Sequence, residues 1–79
     1  MFDNESRKIV RHWRAGESGC GSLIVGLKKQ LGQIRTGELL QVTAQNPGAR
    51  ADLPAWCRVT GHTLISADHP VYVLRKKDD

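Results

Sequence analysis

Gly19-Cys20-Gly21-Ser22-Leu23-Ile24-Val25-Gly26-Leu27-Lys28-Lys29-Gln30-Leu31, continued by Gly32-Gln33-Ile34, is the stretch from which the rest of the chain can be laid out. Leu23, Leu27, Leu31 and Ile34 recur at steps of four, four and three, the repeat of one helix face. Lys28, Lys29, Gln30 and Gln33 fall largely on the other side. The spacing predicts a helix from about Gly21 to Ile34. Gly26 inside it costs roughly 1 kcal/mol of propensity relative to alanine, so a close approach of the sheet is expected there. Cys20 falls just before the helix or within its first turn. At that place the unpaired N–H groups and the positive end of the helix dipole favour a thiolate over a thiol. A structural cysteine tucked behind the helix is the other reading.

Working outward toward the start, Ile9-Val10 and Trp13, interleaved with Arg7, Lys8, Arg11 and His12, predict a short first strand. Arg14 to Gly21 holds three glycines and a serine and reads as a loop. On the other side, Thr36-Gly37-Glu38 turns the chain into a strand over Leu39–Ala44, with Leu40, Val42 and Ala44 on one face. A helix between two strands implies a parallel crossover. Asn46-Pro47-Gly48 is a turn, and Asp52 is the expected N-cap of a second helix from about Leu53 to Val59, with Pro54 tolerated in its first turn. That helix would bury Leu53 and either Trp56 or Cys57, and Gly61 suits its C-terminal turn. Thr63–Ala67 is a third strand, Asp68-His69-Pro70 a turn, and Val71–Arg75 a fourth strand antiparallel to the third. The order β-α-β-α-β-β predicts an α+β two-layer sandwich: a four-stranded mixed sheet with two helices on one face. One domain is expected over 1–79, with fraying at 1–6 and 77–79.

Composition narrows the function. The chain has 79 residues, 39% hydrophobic and 25% charged, which is the make-up of a folded domain with a thin core. Chemistry on so small a body belongs on one exposed side chain, completed by a partner. Twelve basic residues against eight acidic ones give a net charge of +4, compatible with an acidic protein partner or with weak attraction to nucleic acid. No apolar run approaches the roughly 20 residues that span a bilayer. Met1-Phe2-Asp3-Asn4-Glu5 lacks the pattern of a secretory signal, so a cytoplasmic location is expected. There the two cysteines are not expected to form a standing disulfide. Cys57 and His62, with His12 and His69, match no compact zinc spacing, and neither metal nor cofactor is expected.

The order of elements and the residues on them resemble the TusA/SirA-like family of small sulfurtransferases. The family signature is cysteine, proline, any residue, proline, leading into a helix with a basic pair. Here the cysteine is Cys20, the proline positions hold Gly21 and Leu23, and the basic pair is Lys28 and Lys29. Gly37-Glu38, Asn46-Pro47, Asp52-Leu53-Pro54-Ala55-Trp56-Cys57, Gly61-His62 and Arg75-Lys76 match the family's later motifs in order, across about residues 9 to 77. The family's Asp and Gly ahead of the cysteine are replaced by Arg14 and Glu17. The chain is similar to a divergent branch that lacks both prolines.

The resemblance implies a sulfur carrier whose cysteine, Cys20, accepts sulfane sulfur as a persulfide and relays it to a partner. It implies a sulfur-donor protein of desulfurase or rhodanese type and a downstream acceptor protein, with a membrane sulfur transporter as a further candidate partner and no membrane insertion of the chain itself. Gly19, Gly21 and Ser22 would form the active-site loop. Lys28 and Lys29 lie more than two turns beyond Cys20; they are either a solvated face or, with Arg35, Arg75 and Lys76, a docking surface for an acidic partner. Cys57 is either a buried structural residue or a thiol that resolves a persulfide or disulfide on Cys20. The alternative function is RNA binding or non-catalytic protein interaction on the same fold. Neither a Gly-x-x-Gly clamp loop nor paired strand aromatics appear, so nucleic acid is not the expected partner.

Overall fold

The structure, a computed structural model, describes residues 9–17 and 19–77, with Cys20 described by its backbone. The order is β1 (Ile9–Gly16), α1 (Cys20–Leu31), β2 (Leu39–Ala44), α2 (Ala49–Thr60), β3 (Thr63–Asp68) and β4 (Val71–Arg75). The strands form one sheet in the order β1-β2-β4-β3, with β1 and β2 parallel and the other two pairs antiparallel. This is the α+β sandwich that the alternation of periods predicts: a mixed four-stranded sheet with two helices. The expected fraying of 1–6 and of 78–79 lies outside the described residues.

One core joins the layers. α1 contributes Leu23, Leu27 and Leu31, and Ile34 follows from the turn beyond it. β2 contributes Leu40, Val42 and Ala44, β4 contributes Tyr72 and Leu74, and α2 a stripe of three residues spaced four apart, Ala49, Leu53 and Cys57. At Gly26 an added Cβ would lie 2.2 Å from Trp13 Cη2, so the indole of β1 occupies the space that a side chain on α1 would need.

Three boundaries differ from the expected ones. β1 runs on to Gly16 rather than ending near Trp13, because Arg14 pairs with Thr43 and Gly16 with Ala44 of β2. α1 stops at Leu31, where Gly32 N–H donates to Lys28 O at 3.0 Å. α2 starts at Ala49, not near Leu53, and Asp52 stands in its first turn rather than at its cap. The cause is Asn46, whose Oδ1 accepts the Gly48 N–H at 2.8 Å and folds the Asn46-Pro47-Gly48 turn into a helix start. Pro54 then lies inside the helix, where its ring nitrogen gives Arg50 O no N–H to accept from. The far end of α2 matches expectation: Gly61, at φ 93°, donates its N–H to Cys57 O at 2.8 Å.

This topology sorts the molecule into two ends. β1 and β2 are parallel, so α1 must run back across the sheet, and α2 leaves the finish of β2 in the same way. Both helices therefore begin where β1 and β2 finish. Gln45 N–H donates to Gly16 O and Ala44 N–H to Pro70 O, each at 2.8 Å, so the β3–β4 turn closes the same end. At the other end, Gly37 N–H donates to Lys76 O at 2.9 Å and Lys76 N–H to Glu38 O at 3.0 Å.

Candidate functional site

Cys20 is the first residue of α1. Gly19 before it is extended, at φ −79° and ψ −177°, and among the described residues no side chain caps the helix start. Leu23 N–H already reaches back to Gly19 O at 2.8 Å, so the N–H groups of Cys20, Gly21 and Ser22 are the donors that a helix leaves without intrahelical acceptors. Gly19, Gly21 and Ser22 are exposed, and a Cβ added at either glycine would meet nothing within 4 Å. Backbone donors at a helix start are what a thiolate or another anion at this position needs. The glycine where the signature has its first proline keeps one N–H that a proline would remove.

Asn46 ties this segment to the neighbouring helix. Besides holding Gly48, its Nδ2 donates to Glu17 O at 3.3 Å, joining the approach to Cys20 to the turn that begins α2. Sequence reading places Asn46 in a turn and misses this second bond, for which neighbouring residues carry no signal. At the same end Arg50, Ala67, Asp68, His69 and Tyr72 line a cleft of about 350 Å³. Its His69 is half-buried, with Nδ1 against Tyr72 Oη. Burial pushes the Tyr72 hydroxyl pKa up, and Arg50 draws it part of the way back.

The other sequence-derived candidates lie elsewhere. Cys57 is 3% exposed and belongs to the core. Burial pushes its thiol pKa from 9.0 up to about 11, so it stays protonated and weakly nucleophilic near neutral pH. It also stands in the last turn of α2, toward the end of the sheet away from the start of α1. Lys28 and Lys29 occupy the last turn of α1; eight residues at 1.5 Å each put Lys28 about 12 Å along the axis from Cys20. Arg35 follows in the next turn, Arg75 ends β4 and Lys76 follows it. All five cations gather at the end opposite Cys20.

One correction belongs to that opposite end. Lys77 is expected to fray, yet it is held in place, and Lys76 beside it is half-buried with its Nζ donating to Ile34 O at 2.8 Å. Lys77 N–H donates to His62 Nδ1 at 3.1 Å, so His62 holds the segment that follows β4. The His62 ring lies against Trp56, centroids 5.3 Å apart. Among the described residues no three of His, Cys, Asp and Glu come together as a metal site would require, and no helix is long and apolar enough to cross a membrane.

The family model for sulfurtransferase TusA matches residues 18–76, which contain Cys20 and every later motif. The chain belongs to the TusA sulfurtransferase family. It is 31% identical over 64 residues to the sulfur carrier protein TusA of Pseudomonas putida, a stretch covering 76% of this chain and 80% of that one. It is 44% identical over 48 residues to the Neisseria meningitidis protein NMA0882 and 36% over 56 residues to Bacillus subtilis YrkF, both provisionally named sulfur carrier proteins. Those two matches cover 61% and 71% of this chain, but 65% and 30% of the relatives' own lengths.

Proposed function

We propose that this TusA-family chain is a cytoplasmic sulfur carrier that bears a persulfide on Cys20. The observation that carries the reading is the place of Cys20: the first residue of α1, between exposed glycines, within the stretch that matches the family. In the loading step the Cys20 thiolate attacks the outer sulfur of a persulfide on a donor of desulfurase or rhodanese type. One S–S bond forms at Cys20, the donor's S–S bond breaks, and the donor leaves as its thiolate, with no net oxidation. In the relay step a thiolate of the acceptor protein attacks the outer sulfur and returns Cys20 to a thiolate. The N–H groups of Cys20, Gly21 and Ser22 would stabilise negative charge on the sulfur in both states. Open space at Gly19 and Gly21 suits the close approach of a partner's cysteine. Cys57, buried and with its thiol held protonated, is a structural residue in this reading.

Intact mass after incubation with a desulfurase and cysteine tests the proposal. The expected outcome is a gain of about 32 Da on the Cys20 peptide, removed by mild reduction and absent in Cys20→Ser. No gain with desulfurase or rhodanese donors, in a folded protein, would overturn it and leave a binding domain on the TusA fold.

A further inference from the structure

We infer that the groove at the end of the domain opposite Cys20 docks an acidic peptide segment of a partner protein, one with an apolar side chain among its carboxylates. The groove holds about 250 Å³, room for one large apolar side chain rather than an extended ligand. Leu31, Trp56 and Thr60 supply its apolar surface, and Lys28, Lys76 and Lys77 supply cations. Among the described residues that line it, none is acidic.

The cations come from separate parts of the chain and are brought together by the fold. Lys28 is on α1, while Lys76 and Lys77 follow β4, where the bonds to Ile34 O and His62 Nδ1 hold that segment in place. The carbonyl ends of α1 and α2 lend partial negative charge here, which Lys28, Lys29 and Arg58 in their last turns offset. Among the described residues lining the groove, Lys76 and Lys77 add further positive charge with no acidic side chain beside them, so an acidic ligand is the complementary one. An apolar floor under a basic rim suits a side chain anchored between carboxylates. A nucleic-acid strand would want a line of cations and free ring faces; here the cations surround one hollow, and the rings of Trp56 and His62 lie against each other.

Docking here leaves the start of α1 uncovered, so a partner could hold the carrier while Cys20 exchanges sulfur with another cysteine. That use rests on the carrier reading, but the binding itself does not. The test is titration of the isotope-labelled protein with an acetylated, amidated Glu-Glu-Phe-Glu-Glu peptide, followed by amide resonances. Shifts centred on Leu31, Gly32, Thr60, His62 and Lys77 are expected, with affinity falling as salt rises. The Lys28→Glu/Lys77→Glu variant, both positions being exposed, should fold normally and bind about tenfold more weakly. Cys20→Ser should bind unchanged, and the double variant should still take up sulfur from a small-molecule persulfide, which separates failure of docking from failure of the carrier reading. Shifts centred on the Cys20 end, affinity unaffected by the double reversal, or tighter binding of oligouridine at the same amides would overturn the inference.

Discussion

At one end of the sheet, α1 begins at a cysteine between exposed glycines; at the other, lysines surround an apolar hollow against Trp56. The first end is built from glycines and a turn, and its chemistry needs little more than access. The second is built from side chains of α1, α2 and the segment after β4, and it depends on all three being in register. On the proposed reading, reaction and recognition are separated by the length of one helix. The lysines of the groove lie about 12 Å or more along the axis from Cys20 and can bear on its chemistry only through a partner.

The sharpest way to break this comparison is Cys20→Ser, which should abolish persulfide loading while leaving peptide titration of the far groove unchanged. Loss of both would mean that the ends are coupled. Gly26→Ala strikes the layer that connects them. The new methyl overlaps the Trp13 ring, and overpacking of about 1–3 kcal/mol should outweigh the roughly 1 kcal/mol gain in helix propensity. Denaturant melts should show a net loss, with Trp13→Leu in the same background recovering part of it.

A third prediction concerns the buried thiol. Cys57 titrates at about 11 in the fold against 9.0 as the ordinary value. The unfolded chain therefore loses this proton first, and stability should be fully present below pH 9 and decline as pH rises to 11, by at most roughly 3 kcal/mol. Cys57→Ala should flatten that slope while leaving sulfur loading at Cys20 intact at neutral pH. A smaller effect is expected from Asn46→Ala, which removes the bonds to Gly48 N–H and Glu17 O. A loss of about 1 kcal/mol, with slower sulfur transfer from a protein donor and unaltered peptide docking, would confine its role to the Cys20 end.

Local signals carried much of this reading. The leucine spacing of α1 and the alternation in β2 were legible because each element must bury one face, and burial writes its period into the residues. Ordered motifs brought Cys20 into view for the same reason of locality: a cysteine and the helix it starts are neighbours in the chain. The start of α2 was misplaced because Asp52 carries a strong capping signal, whereas the bonds of Asn46 that begin the helix earlier reach Gly48 and, across the fold, Glu17. Lys77 read as a loose tail because its partner, His62, is far away in sequence.

By itself, the sequence determined the element order, the core stripes, the family and the cysteine at a helix start, all of which depend on residues close together in the chain. Only the tertiary structure decided that Lys28, Lys29, Arg35, Arg75 and Lys76 gather at the end away from Cys20, that Cys57 is sealed in the core, and that Trp56, His62 and Lys28 share a groove with Lys76 and Lys77. Those are distances between elements, set by strand order and helix direction, and no local pattern of side chains encodes them.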